Sequence, residues 1–108
     1  VSRYRLAVAA DADLDEITTT IGQSDLEHAI AVLDRLHETF MVLANHPHVG
    51  MLRDDLVPGI RVFSPPRPAH KYVVFFYPIS DGIEVSAVIH GSRDWIGIFA
   101  RGERGSRD

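Results

Sequence analysis

Between His90 and Trp95 the chain sets an imidazole, a guanidinium and a carboxylate within five positions, followed by an indole: His90-Gly91-Ser92-Arg93-Asp94-Trp95. The ordinary pKa of histidine lies near neutrality, so His90 can serve as general acid or base. Arg93, with Arg61 and Lys71 upstream, supplies fixed positive charge for a developing anion. The same stretch also has the composition of a binding hot spot, in which an arginine and an aromatic ring are desolvated by a partner. Two other groupings bear chemistry. Asp11, Asp13, Asp15 and Glu16 resemble a carboxylate site for metal or acid–base work, although negative charge at the start of a helix explains them more simply. His46 and His48 flank a proline, with His70 and His90 elsewhere, and imidazole suits zinc or nickel. No metal motif such as HExxH is present, so they read as polar loop residues and no metal is expected.

The elements that must position these groups follow from periodicity. Ile83, Val85, Ala87 and Ile89 alternate with Glu84, Ser86, Val88 and His90, which predicts a strand with the first set on its buried face. Arg93 then lies just past the strand end, where a side chain can meet a partner. Lys71 to Tyr77 (KYVVFFY) is nearly all apolar, as in a central strand buried on both faces, and Asp81-Gly82 turns it into the Ile83 strand. Arg3 to Val8 predicts a first strand. Leu14, Ile17 and Ile21 then recur at helical spacing until Gly22.

Ser24-Asp25-Leu26-Glu27 reads as a capping box with Ser24 as the cap. The helix it opens carries an apolar stripe of Leu26, Ile30, Leu33, Leu36 or His37, Phe40, Leu43 and Ala44, and ends at Asn45 before Pro47. Gly59 to Phe63 is a further short strand, and Ser64 to Pro68 a stiff loop. Ile96, Ile98 and Phe99 suggest a short helix or extended segment laid back on the core. The expected fold class is α+β: an N-terminal strand and an antiparallel helical hairpin packed on a small, mainly antiparallel sheet, in the order β-α-α-β-β-β. Residues 1–100 are expected to form one domain and Arg101 to Asp108 a disordered tail.

Composition narrows the function. The 108 residues carry a net charge of −4, no cysteine and no apolar run long enough to span a bilayer, as expected of a cytoplasmic protein. Residues 1–52 are locally −5 and residues 53–108 locally +1. An acidic chain is a poor binder of nucleic acid, so direct sequence-specific binding is not expected. A helical hairpin covers one sheet face only. Phe63, Tyr72, Phe76 and Trp95 are therefore candidates for a surface awaiting a partner, unless Trp95 and the last segment close over it themselves.

Taken in order, several stretches resemble the RelE/ParE superfamily of bacterial type II toxin–antitoxin toxins. They are Ala12-Asp13-Leu14-Asp15-Glu16-Ile17, Leu43 to Gly50 (LANHPHVG), Gly59-Ile60-Arg61 and, above all, Val88-Ile89-His90-Gly91-Ser92-Arg93-Asp94, which is similar to the terminal strand signature of the ParE branch. The likeness covers residues 3–99. It implies a toxin held inactive by a cognate, ParD-like antitoxin and acting on DNA gyrase, with no cofactor.

The sister RelE branch cleaves messenger RNA on the ribosome, and in that reading the site would be His90, Arg93, Lys71 and Arg61. Such cleavage needs proton transfer at a 2′-oxygen and cations for the charge on phosphorus. Phe99 stands where the nuclease branch commonly has a tyrosine, so that hydroxyl is missing. The gyrase reading instead makes Arg61, Arg93, Asp94 and Trp95 target contacts, with no catalytic residue. Ala87 stands where relatives often carry an arginine. It is either a lost contact, consistent with an inactive homologue that keeps only antitoxin binding, or an inward-packing residue beside Val85 and Ile89.

Overall fold

The computed structural model describes residues 2–101. The chain runs β1 (Arg3–Leu6), α1 (Val8–Gly22), α2 (Leu26–Asn45), β2 (Met51–Leu52), β3 (Arg61–Phe63), β4 (Tyr72–Ile79), β5 (Gly82–His90) and α3 (Trp95–Ala100). Its sheet has five strands in the order β1-β5-β4-β3-β2. Only β1 is parallel to its neighbour, β5; the other pairings are antiparallel. The expected α+β architecture is present, with β2 added and the last apolar segment folded back on the core as the short helix α3. A pair of exposed residues such as Met51 and Leu52 has no readable period, which is why β2 escapes the sequence. The expected tail lies, apart from Arg101, outside the described residues.

The helical hairpin forms by a small correction to the expected cap. Asp25, in extended conformation, caps α2 by accepting from the His28 N–H at 3.0 Å. Ser24 lies in the turn after α1, where its hydroxyl donates to the Ile21 carbonyl. One residue closes α1 and the next opens α2, so the loop is minimal and the helices must run antiparallel. The buried stripe of α2 is Ala29, Val32, Leu36, Thr39, Phe40, Leu43 and Ala44. Leu26 and Ile30, expected inside, are 64% and 51% exposed. Ala29 is buried and faces α1 near Gly22, where the tip of Leu26 also touches, so the contact between the helices at this end is made by small groups.

The sheet carries a core on each side. Val74, Phe76, Ile83, Val85 and Val88 pack against Leu14, Val32, Leu36, Phe40 and Leu43 of the helices. Phe75, Tyr77, Ala87 and Ile89 pack on the other side against Ile60, Ile98 and Phe99. The second face is thus closed by α3 and the segment before β3, not left for a partner. Phe76, expected on a partner surface, is fully buried beneath the helices.

The strict alternation expected of β5 is broken. Phe75 pairs with Ala87, yet the next residue, Phe76, pairs with Val85, so Ser86 is an extra residue in a β-bulge. The bulge shifts the phase of everything after it. Val85 stays on the helix side while Ala87 and Ile89 turn to the far side, and Val88 and His90 turn toward the helices. Ala87 accordingly packs with Ile89 but not with Val85.

At the other end of β5, Gly82 has φ of +152°, and a Cβ built there would collide with the Arg3 carbonyl of β1. Only glycine lets β1 dock in parallel at that point. Gly82→Ala is expected to destabilise the fold by about 3 kcal/mol, read as a lower urea midpoint at unchanged m-value. An unaltered midpoint would show that β1 docks without this close approach.

Candidate functional site

The bulge brings His90 to the helix side of the sheet end, opposite Tyr72, the first residue of β4. The two rings meet edge to face at 5.4 Å. Together with Arg93 they line an open cleft of about 190 Å³ whose facing wall is Asp13, Glu16, Ile17 and Thr20 of α1. Those four positions share one helical face, since their spacing is i, i+3, i+4 and i+7.

Asp13 has a task that the helix-dipole argument missed. Beyond Val85 the chain leaves β1 for α1, with the Ala7 N–H bonded to the Val85 carbonyl, so the outer edge of β5 loses its strand partner. The Val88 N–H then donates to the Asp13 carboxylate at 3.0 Å. A side chain from α1 thereby replaces a strand at a backbone group that burial would otherwise penalise.

The turn after β5 is held by its own polar groups. The Gly91 N–H donates to the Lys71 carbonyl and the Arg93 N–H to the His90 carbonyl. The Ser92 N–H donates to His90 Nδ1 at 3.1 Å, with the Ser92 hydroxyl 2.7 Å from the same nitrogen. A backbone N–H can only donate, so Nδ1 is the acceptor and the neutral ring carries its proton on Nε2. Burial raises the Tyr72 phenol above its ordinary pKa, so it too is a protonated donor at neutral pH.

The remaining expected site residues are distributed by function. Asp94 caps α3, accepting from the Gly97 N–H at 2.9 Å. Trp95 is half-buried, with its ring centre 5.6 Å from that of Phe75 and 5.0 Å from the Arg53 guanidinium. Arg53 is in turn fixed by a two-pronged bond to Asp55, which holds that carboxyl below its usual range. Arg61 donates to the carbonyls of His48 and Gly50 and so fastens the loop after α2. It pairs with Phe76, four residues along β4 from Tyr72, or about 13 Å at the usual strand rise. The structure therefore brings His90 and Arg93 together, places exposed Lys71 next to Tyr72, and leaves Arg61 elsewhere.

Phe99, where a tyrosine was considered, is a core ring 4.9 Å from Phe75. Phe63 is half-buried beside Val42 and Pro66, at the rim of a small groove. Among the described residues no three His, Asp or Glu side chains gather closely enough to hold a metal ion. Among them, too, the Arg93 guanidinium has no hydrogen bond or ion pair, and its side chain is exposed. Sequence reasoning named Asp13 and Glu16 but set them aside as helix-start charge, and it took Tyr72 for its ring and not its hydroxyl; the signal was that Asp13, Glu16 and Thr20 share one face of α1.

A family model for the ParE toxin of the type II toxin–antitoxin system parDE matches residues 4–95. The chain belongs to the ParE toxin family. Among solved structures it resembles a chain of the chromosomal ParDE toxin–antitoxin system from P. aeruginosa, with a TM-score of 0.68 and 21% identity over 82% of this chain and 95% of that one. At that identity the likeness speaks for the fold. A comparison with curated proteins finds no match. No helix among the described residues of this ParE-family toxin is long and apolar enough to cross a membrane.

Two substitutions separate structural from free groups in the turn. Asp94→Ala removes the α3 cap and is expected to cost about 1 kcal/mol, with a red shift in the emission of Trp95, the only tryptophan in the chain. Arg93→Ala is expected to change stability by less than about 0.5 kcal/mol. A large loss on removing Arg93 would mean that its guanidinium holds the fold.

Proposed function

We propose that this ParE-type toxin is neutralised by a cognate ParD-like antitoxin and, when released, inhibits DNA gyrase by binding it through the turn after β5, with no bond-making chemistry of its own. The observation that carries this reading is the exposed Arg93 guanidinium, without an intramolecular partner among the described residues, on a turn whose other polar groups are bonded within the chain. The backbone under Arg93 is held by the turn's own hydrogen bonds, and an exposed arginine presented in this way suits a hot spot that a partner desolvates. Lys71 is exposed on the adjoining turn and can add a second charge. Trp95 contributes only the part of its half-buried ring left open by Phe75 and Arg53. Asp94 supports the surface from behind by capping α3, whereas Arg61, bonded to the loop after α2, stands apart from it.

A ribosome-dependent endoribonuclease is the second reading, and one observation favours it. Tyr72, His90, Arg93 and Glu16 line a single cleft, which unites a phenol, an imidazole, a guanidinium and a carboxylate. Against it stand the distance of Arg61 and the two acidic residues on the cleft wall, which oppose an approaching phosphate.

Supercoiling by purified gyrase decides between the readings. The toxin is expected to inhibit it, and Arg93→Ala to raise the concentration needed by at least about tenfold. Codon-phased cuts in translated messages, together with undisturbed supercoiling, would instead establish the nuclease. Neither effect, with normal growth on overexpression, would mark an inactive homologue.

A further inference from the structure

A separate groove runs along the outside of the helical hairpin, beside the free edge of β1. One part, of about 540 Å³, is floored by Leu6, Leu14 and Leu33; the adjoining part, of about 400 Å³, by Tyr4 and Met41. His37 borders both parts, so they are continuous. Its ring is fixed by a 2.6 Å hydrogen bond between Nδ1 and the Tyr4 hydroxyl. The rim is acidic: Asp11 and Asp15 stand on the α1 side and Asp34 and Glu38 on α2, all exposed.

Of the cations nearby, two are engaged away from the groove and one pairs with a rim carboxylate. Arg3 and Arg5 of β1 pair with Asp81 and Glu84 toward the sheet, and Arg35 lies 3.7 Å from Glu38. The result is an apolar trough between carboxylates, set in the half of the chain that is locally −5.

We propose that this groove binds a basic amphipathic helix of a protein partner, its apolar stripe on Leu6, Leu33 and Met41 and its lysines or arginines over the carboxylates. The dimensions fit such an occupant. From Leu33 to Met41 the groove follows α2 for about 12 Å, a little over two turns, which matches anchors at i, i+3 or i+4 and i+7. The charge selects its sign: Asp11, Asp15 and Asp34, which make no ion pair among the described residues, attract a basic face and repel an acidic one, while Glu38 shares its charge with Arg35. The proposal rests on reading the chain as a toxin held by a partner, and not on gyrase as its target. It makes the segment that seats on this toxin basic.

The test uses the whole chain and a labelled synthetic helix of leucine and lysine, about five turns long, with leucines at i, i+3, i+4 and i+7. Saturable binding by fluorescence anisotropy is expected, with amide shifts confined to the strand and helix segments around Leu6, Leu33 and Met41. The double variant Asp15→Lys/Asp34→Lys, which touches neither the core nor the β5 turn, should bind about tenfold more weakly at low salt with an unchanged circular dichroism spectrum. A leucine–glutamate helix should bind the variant better than the wild type.

Equal binding of a scrambled leucine–lysine peptide, undiminished affinity of the variant, or shifts centred on the β5 turn would each overturn the proposal. The variant should inhibit gyrase as the wild type does. A wild-type chain that inhibits gyrase yet fails the peptide test therefore overturns this inference alone.

Discussion

One extra residue in β5 organises this molecule. Ser86 makes β5 one residue longer than β4 needs, and the resulting bulge lets a single sheet serve two cores of different phase. Before it, Ile83 and Val85 face the helices; after it, Ala87 and Ile89 face α3. With unbroken alternation His90 would lie on the α3 side, away from α1. The bulge instead turns His90 toward Tyr72 and the polar face of α1, and so creates the cleft. A local irregularity of the backbone thus decides which groups can meet.

The same arrangement accounts for how few polar groups at that end remain free. An interrupted strand edge must satisfy its backbone, and Asp13 does so at Val88. A helix as short as α3 needs its cap, which Asp94 provides, and packing of Trp95 between Phe75 and Arg53 keeps it on the sheet. Ser92 locks the His90 tautomer. These are structural demands of a small domain closed on both faces, and they engage most side chains that the sequence offers as contacts. Arg93 escapes them because it sits at the crest of the turn, where only its backbone is needed.

The fold was legible because its two strongest signals are local. The apolar run at Val73–Tyr77 and the helical spacing through Leu36, Phe40 and Leu43 each specify an element on their own, and a short loop between helices leaves one topology. The cleft was less legible because it depends on a phase shift. Ser86 is small and polar, and in sequence it fits a solvent-facing strand position as well as a bulge; only its pairing with β4 tells them apart. The mistaken assignment of Phe76 to a partner surface has a related cause. A run of consecutive aromatics carries no period, so which ring faces which way is set by the register with β3 and β5. Asp94 and Arg61 were visible as charged residues, but their hydrogen bonds to backbone groups were not.

Charge distinguishes the kinds of target that the cleft end can meet. A chain of net charge −4 approaching an RNA polyanion works against its own field, and phosphate binding needs several cations acting together. Here Arg93 shares its cleft with Asp13 and Glu16, while Arg61 is bonded to the His48 and Gly50 carbonyls at the β2 edge of the sheet. One guanidinium between carboxylates is a weak phosphate clamp. It is a much better fit to a protein surface, where a single arginine in a desolvated contact can dominate affinity and neighbouring acids select a partner that presents both signs of charge. The electrostatics of the cleft end therefore suit a protein surface better than a phosphate backbone, on the same physical grounds that lead us to propose a basic partner for the opposite groove.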